Sequence, residues 1–123
     1  MAVIVPTTTI IAGDGSVYSV SWAALTTTNT TGTEISAVEY ADRSVQVLGT
    51  FGVGGSITIQ GSNDGANWVA LTDPQGNAIT KTAASIEAIT ELTRYIRPIV
   101  TAGDGTTSLT AVVVARRANP LRT

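Results

Sequence analysis

The chain reads as an all-β protein: an antiparallel β-sandwich, jelly-roll-like, of about eight short strands. Three observations carry that reading. Apolar residues alternate with polar ones in several runs, as where Tyr18, Val20 and Trp22 interleave with Val17, Ser19 and Ser21, which is the period of a strand with one face in a core. Three Asp-Gly turns, Gly13-Asp14-Gly15, Asn63-Asp64-Gly65 and Gly103-Asp104-Gly105, each stand between such runs, spaced as in sandwiches and jelly rolls. Aromatic residues are only 5% of the 123, and the 43% hydrophobic fraction is mostly Val, Ile and Ala. A core must then come from many β-branched side chains, and the abundant Thr suits the wet face of a sheet. The length fits one domain with one core.

The pattern is clearest from Gly55 to Thr80, which reads as a meander. Ile57 and Ile59 alternate with Ser56, Thr58 and Gln60, and the strand ends at Gly61. Ser62-Asn63-Asp64-Gly65 tolerates left-handed backbone angles, so Trp68-Val69-Ala70-Leu71 is expected to return as a hairpin partner. Asp73-Pro74-Gln75-Gly76-Asn77 turns the chain again into Ala78-Ile79-Thr80.

From the N-terminus, residues 2 to 11 form a strand-like run interrupted by Pro6, which lacks a ladder donor and marks an edge or a break. Ser16 to Trp22 is a strand with Trp22 in the core. Thr26 to Thr33 has no apolar anchor and is expected to be the longest exposed loop. Glu34 to Tyr40 is strand-like, Asp42-Arg43 a bulge or corner, and Arg43 to Phe51 a strand whose Val45, Val47 and Phe51 share a face. Gly52 to Gly55 turns into the next element. Ile86, Ile89 and Leu92 recur at helical spacing, so residues 83 to 92 form either a single helical turn or a strand. Tyr95 to Val100 is a strand that Pro98 places at an edge, and Gly103-Asp104-Gly105 is expected to make a hairpin into Ser108 to Ala115. The unbroken Ala111-Val112-Val113-Val114-Ala115 predicts burial on both faces.

Charge is scarce and unevenly placed. Charged residues are 13% of the chain, and Arg116, Arg117 and Arg122 fall in the last eight residues, while the rest holds nine acids against Arg43, Lys81, Arg94 and Arg97. The organisation implied is one domain over 1–117 and a basic tail over 118–123, with Arg116, Arg117 and Arg122 as a candidate electrostatic contact to an acidic neighbour. A sequence pI near 4.8 argues against nucleic-acid binding. No stretch reads as a signal peptide or a membrane span, so no membrane partner is expected.

Catalytic constellations find little support. The chain has no Cys and no His, which removes disulfides, thiolate chemistry, Ser-His-Asp systems and most transition-metal sites. No enzyme activity, metal or cofactor is expected. Each Asp-Gly turn offers one carboxylate without the spacing of a calcium loop. Ser62-Asn63-Asp64-Gly65-Ala66-Asn67-Trp68 resembles the structural Asp-box hairpin of sialidases, one residue short between Asp and Gly. Glu34, Glu39, Glu87 and Glu91 are the candidates for a glycosidase carboxylate pair, but the i, i+4 spacing of Glu87 and Glu91 reads as a solvated face. Gly52-x-Gly54-Gly55 opens a strand, which rules out a dinucleotide loop. Trp22 and Trp68 are expected in the core, with a sugar-binding platform as the alternative.

Two longer stretches and a short one add a resemblance. They are Tyr40-Ala41-Asp42-Arg43-Ser44-Val45-Gln46-Val47-x-Gly49-Thr50-Phe51, then Ile57-x-Ile59-x-Gly61-Ser62-Asn63-Asp64-Gly65-x-x-Trp68-x-x-Leu71-x-Asp73-Pro74-Gln75-Gly76, and Arg94-Tyr95-x-Arg97-Pro98. With them the chain, over roughly residues 15 to 117, resembles the capsid decoration or cement proteins of tailed bacteriophages. The resemblance implies a structural virion protein with no catalytic motif, assembled in the host cytoplasm. It implies a jelly-roll-like sandwich that binds the major capsid protein on the outside of the head and associates with itself as a dimer or trimer. The alternative is a carbohydrate-binding β-sandwich module associated with a phage tail or fibre.

Overall fold

The computed structural model describes residues 3–13 and 16–117. Among them every regular element is a strand: β1 (Thr7–Ile10), β2 (Val17–Leu25), β3 (Ile35–Ser36), β4 (Asp42–Thr50), β5 (Ser56–Ser62), β6 (Val69–Ala70), β7 (Thr80–Lys81), β8 (Ser85–Ala88), β9 (Tyr95–Ala102) and β10 (Ser108–Arg116). They form two antiparallel sheets, ordered β1-β2-β10-β4-β8 and β3-β9-β5-β6, with β7 also on β5. The fold is the all-β sandwich that the alternation predicts. Between the sheets lie Val20, Trp22, Leu25, Val45, Val47, Ile57, Ile59, Ile96, Leu109 and Val113, all at most 2% exposed.

Period-2 alternation holds in the long strands because each has one sheet face on the core. It fails in β5, where Thr58 and Ser62 are buried beside Ile57, Ile59 and Gly61, and again in β2. Trp22 and Leu25 are both buried although three residues apart, and the register reconciles them: Leu109 pairs with Leu25 but Ala111 with Trp22, so β2 carries one extra residue. That bulge is taken up by Ala24, whose φ of 61° is left-handed.

Several expectations are corrected. The segment from Gly55 to Thr80 is not a meander of successive neighbours. β6 and β7 lie one after the other along a single edge of β5, pairing with Gln60 and Gly61 and with Ile57 and Thr58 respectively, and residues 72–78 form a side excursion closed by a Thr72 to Ala78 bridge. Residues 83–92 take the strand alternative, as β8, rather than the helical turn. β8 places Ile86 outward, 63% exposed, and the odd spacing sends Ile89 inward, 6% exposed. The strand expected over Glu34 to Tyr40 is reduced to Ile35–Ser36, and Asp42-Arg43 simply begins β4. Phe51 is half-buried rather than core, because β4 has ended and the chain is leaving for the other sheet.

The stretch Thr26 to Thr33 is not an exposed loop. Its first half is a bend closed by the Thr26 hydroxyl, which accepts from the Asn29 N–H at 2.9 Å. Its second half runs along β9, with the Gly32 N–H on the Pro98 carbonyl at 3.0 Å and the Val100 N–H on the Thr30 carbonyl at 2.8 Å. Gly32 is buried because a Cβ there would come within 2.5 Å of the Trp22 ring. Pro98 in turn is not at an edge: it is fully buried inside β9. The N–H and C=O of one residue leave a strand on the same side, so the missing donor of Pro98 falls toward Gly32 and the β5 to β9 ladder stays intact.

The turn Gly103-Asp104-Gly105 also departs from the hairpin expectation, since β9 and β10 belong to different sheets. Its chain crosses the sandwich beside the other crossing, residues 51–55 between β4 and β5. The two crossings are joined by hydrogen bonds: Val53 N–H donates to Asp104 Oδ2 at 2.9 Å, and Thr107 Oγ1 donates to the Phe51 carbonyl at 2.7 Å.

Finally, β10 is central in its sheet, between β2 and β4, yet only one of its faces is covered. Ala111, Val113 and Ala115 are buried, Val112 is half-buried and Val114 is 38% exposed. The apolar run is therefore core on one side and open surface on the other.

Candidate functional site

The basic end was the sequence-level candidate. Arg116 closes β10, where it sits opposite Asp42 and donates to that carboxylate from Nε at 3.0 Å and from Nη2 at 2.6 Å. Arg117 reaches Glu39 at 3.5 Å and stands 6.0 Å from the Tyr40 ring centroid. Both pairs are solvent-exposed, so they contribute little and exchange partners easily. Arg122 and the tail over 118–123 lie outside the described residues. Beside Arg116 is an open groove lined by Val17, Asp42, Ser44 and Val114.

That groove is one end of a larger surface, the outer face of the β1-β2-β10-β4-β8 sheet. The register lines up Thr9, Ser19, Val114, Ser44 and Ala88 across it, and Thr7, Ser21, Val112, Gln46 and Ile86 in the next row. Leu48, 37% exposed, extends the apolar part. No residue of these two rows carries a charge, and Asp42 and Arg116 neutralise each other at the end.

A second cluster, which sequence reasoning missed, lies on the outer face of the other sheet. Trp22 is fully buried, its Nε1 donating to the Thr33 carbonyl at 2.8 Å. Trp68, expected in the core beside it, is instead half-buried on the outside and covered by Arg97, whose guanidinium lies 4.0 Å from the ring centroid. The two tryptophans therefore form no shared platform. Arg97 Nε donates to Gln60 Oε1 at 2.9 Å, and the Arg94 guanidinium stands 4.9 Å over the Tyr95 ring. The signal available in the sequence was Arg94-Tyr95-x-Arg97 on a strand, which sets Tyr95 and Arg97 on one face.

Among the described residues Arg43 is the most deeply placed cation, 5% exposed. It donates to the carbonyls of Tyr40, Ala37 and Thr93 at 2.6, 2.6 and 2.7 Å, and to Glu91 O and Thr93 Oγ1 at 3.3 and 3.4 Å. Burial pushes its pKa down, opposed by the nearby Tyr18. The same burial, with Tyr40 at 4.5 Å between ring centroids, raises that of Tyr18. Such a guanidinium is a structural clamp, spent on four backbone carbonyls and the Thr93 hydroxyl.

Several acids are likewise committed to structure. Asp64 is held far below the usual carboxylate range, first by the Asn67 N–H, then by those of Ala66 and the side chains of Asn67 and Ser62. This is a turn-forming role, with Gly65 at φ 79° completing the bend. Asp104 is lowered to about 2 by the Thr106 hydroxyl and the N–H groups of Val53 and Thr106. Glu87 pairs with Lys81 at 2.6 Å, and Glu91 accepts from the Thr72 N–H at 2.8 Å and from its hydroxyl. Among the described residues no group of three acids is placed to hold a metal ion, and no helix is long and apolar enough to cross a membrane.

Because Asp64 and Asp104 are more acidic folded than unfolded, their stabilisation is complete above the unfolded pKa of about 3.9 and is lost as pH falls toward their folded values. Thermal melts are expected to fall between about pH 4 and pH 2, with a shallower fall in the double variant Asp64→Asn, Asp104→Asn. An unchanged slope in that variant would contradict the assignment.

Comparison with known proteins adds no neighbour. No family model, curated protein or solved structure matches the chain.

Proposed function

We propose that the protein is a capsid decoration (cement) protein, a structural component of a phage virion that binds the outside of the head and stabilises contacts between major capsid subunits. The observation that carries the reading is the outer face of the β1-β2-β10-β4-β8 sheet. Val17, Leu48, Val112, Val114 and Ile86 with Ser, Thr and Gln make a surface without uncompensated charge, the composition of an interface core rather than of a surface kept in water. The resemblance at Tyr40 to Phe51, Ile57 to Gly76 and Arg94 to Pro98 supports it independently.

Strand spacing and rise put this face at roughly 500 Å², below the about 800 Å² per partner of a stable two-body interface. Attachment therefore draws on neighbouring contacts. Arg116 and Arg117 stand at its end, where they can exchange Asp42 and Glu39 for shell carboxylates, and a bidentate fork suits that exchange. Self-association as a dimer or trimer adds area and valency. A carbohydrate-binding module is the weaker reading, because the Trp68 ring face carries Arg97 instead of lying open for a sugar.

The test is cosedimentation with shells assembled from the accompanying major capsid protein. Val114→Glu, at an exposed position, is expected to leave the fold intact and weaken attachment by at least about tenfold, since burying an unpaired carboxylate costs several kcal/mol. Arg116→Ala with Arg117→Ala is expected to weaken it less, by roughly 1 kcal/mol per charge, and to flatten its salt dependence. Attachment unaffected by Val114→Glu would refute this face as the contact. Light scattering at tens of micromolar reads the self-association.

A further inference from the structure

We propose that the outer face of the β3-β9-β5-β6 sheet holds a carboxylate-binding site made by Arg97 and Arg94, and that its ligand is an acidic polypeptide segment of a partner protein. The proposal is independent of the shell-binding reading and concerns the opposite side of the sandwich.

The described arginines divide sharply by what their terminal N–H groups do. Arg43 spends them on backbone carbonyls and on Thr93, Arg116 on Asp42 and Arg117 on Glu39. Arg97 donates from Nε to Gln60 and lies on Trp68, and the Arg94 guanidinium lies on Tyr95. Neither forms an ion pair within 4 Å among the described residues, where such pairs are Lys81 with Glu87, Arg116 with Asp42 and Arg117 with Glu39. The two described arginines without an ion-pair partner are thus the two whose guanidinium groups lie on Tyr95 and Trp68.

Arg97 is also pre-organised. Gln60 sits directly opposite it in the β5 to β9 register, so the side chain is held at Nε and stacked on an indole before any ligand arrives. Most of the rotamer entropy of an arginine is already lost, and the Nη1/Nη2 fork that remains matches a carboxylate bidentately. Partial burial lowers its pKa, while Glu34 acts on it electrostatically without pairing. A half-desolvated cation gains more from an anion than one in bulk water. Tyr95 and Ile99, on the same face and half-buried, give methylene groups of a glutamate chain something to lie on. A polypeptide is favoured over a saccharide because Arg97 occupies the ring face on which a sugar would stack.

The test titrates a hexaglutamate peptide into the full chain at low salt, read by tryptophan fluorescence and amide NMR shifts. Trp22 is fully buried, so a change in emission reports Trp68. Saturable binding centred on Trp68, Tyr95 and Arg97 is expected. Arg97→Lys keeps the charge and should weaken binding by about tenfold, because an ammonium lacks the fork. Arg94→Gln should weaken it severalfold, whereas Lys81→Gln, an equal change in net charge, should leave it unaltered. Near-UV circular dichroism checks that each variant is folded. The proposal is overturned if hexaglutamate does not saturate, if Lys81→Gln weakens binding as much as Arg97→Lys, or if inorganic phosphate or an oligogalacturonate binds more tightly than the peptide.

Discussion

Replacing Arg43 by Ala is expected to destabilise the fold by on the order of 3–5 kcal/mol, more than any other single change to a polar side chain. The carbonyls of Ala37, Tyr40, Glu91 and Thr93 all turn inward to this guanidinium. Removing it orphans several buried acceptors at about 1–3 kcal/mol each, less whatever water can enter to satisfy. The segments involved are 37–40, between β3 and β4, and 91–93, between β8 and β9, so the clamp ties together two connections that each cross from one sheet to the other. Arg43→Lys keeps the charge but has one nitrogen where the carbonyls converge from several directions, and an intermediate loss is expected. Urea unfolding of the three proteins checks this, and a loss below about 1 kcal/mol for Arg43→Ala would contradict the clamp.

The second large effect is expected at Trp22. Its ring is fully buried, its Nε1 holds the Thr33 carbonyl, and Gly32 and Pro98 pack against it. Truncation to Ala should cost about 3–5 kcal/mol through the cavity left and the loss of the bond that fastens residues 30–33 along β9. Gly32→Ala approaches the same contact from the other side. The added methyl would meet Trp22 at 2.5 Å and Pro98 at 2.8 Å, both rigid rings, so a cost of roughly 1–3 kcal/mol is expected from overpacking. Thermal melts of Trp22→Ala, Trp22→Phe and Gly32→Ala separate cavity, hydrogen bond and clash.

The fold was legible where a strand faces water on one side. Val17 to Trp22, Arg43 to Thr50 and Ser56 to Gln60 alternate because the sandwich has one core, and the core expectation held for Trp22, Val45, Val47, Ile57, Ile59 and Val113. What stayed hidden is non-local. Nothing in Thr26 to Thr33 announces that its backbone will pair with β9, since that pairing uses main chain only. Pro98 reads as an edge unless the side on which its missing donor falls is known. Gly103-Asp104-Gly105 carries hairpin residues yet bridges two sheets, a difference decided by Asp104 and Thr107 reaching Val53 and Phe51 some fifty residues away. The candidate site was half legible. Clustering at the end of the chain drew attention to Arg116 and Arg117, but their partners Asp42 and Glu39 are over seventy residues earlier. Arg97 looks ordinary in sequence because Gln60 reaches it from β5 and Trp68 from the residue before β6.

The most direct measurement of the proposed function is a cryo-electron-microscopy map of major-capsid shells incubated with the purified protein. Ordered density on the exterior is predicted at symmetry-related positions, with the sheet containing β10 against the shell, so that Val112, Val114 and Ile86 are covered and Arg116 approaches a carboxylate of the capsid protein. Shells that remain bare at saturating protein, or density with that sheet turned away from the shell, would contradict it.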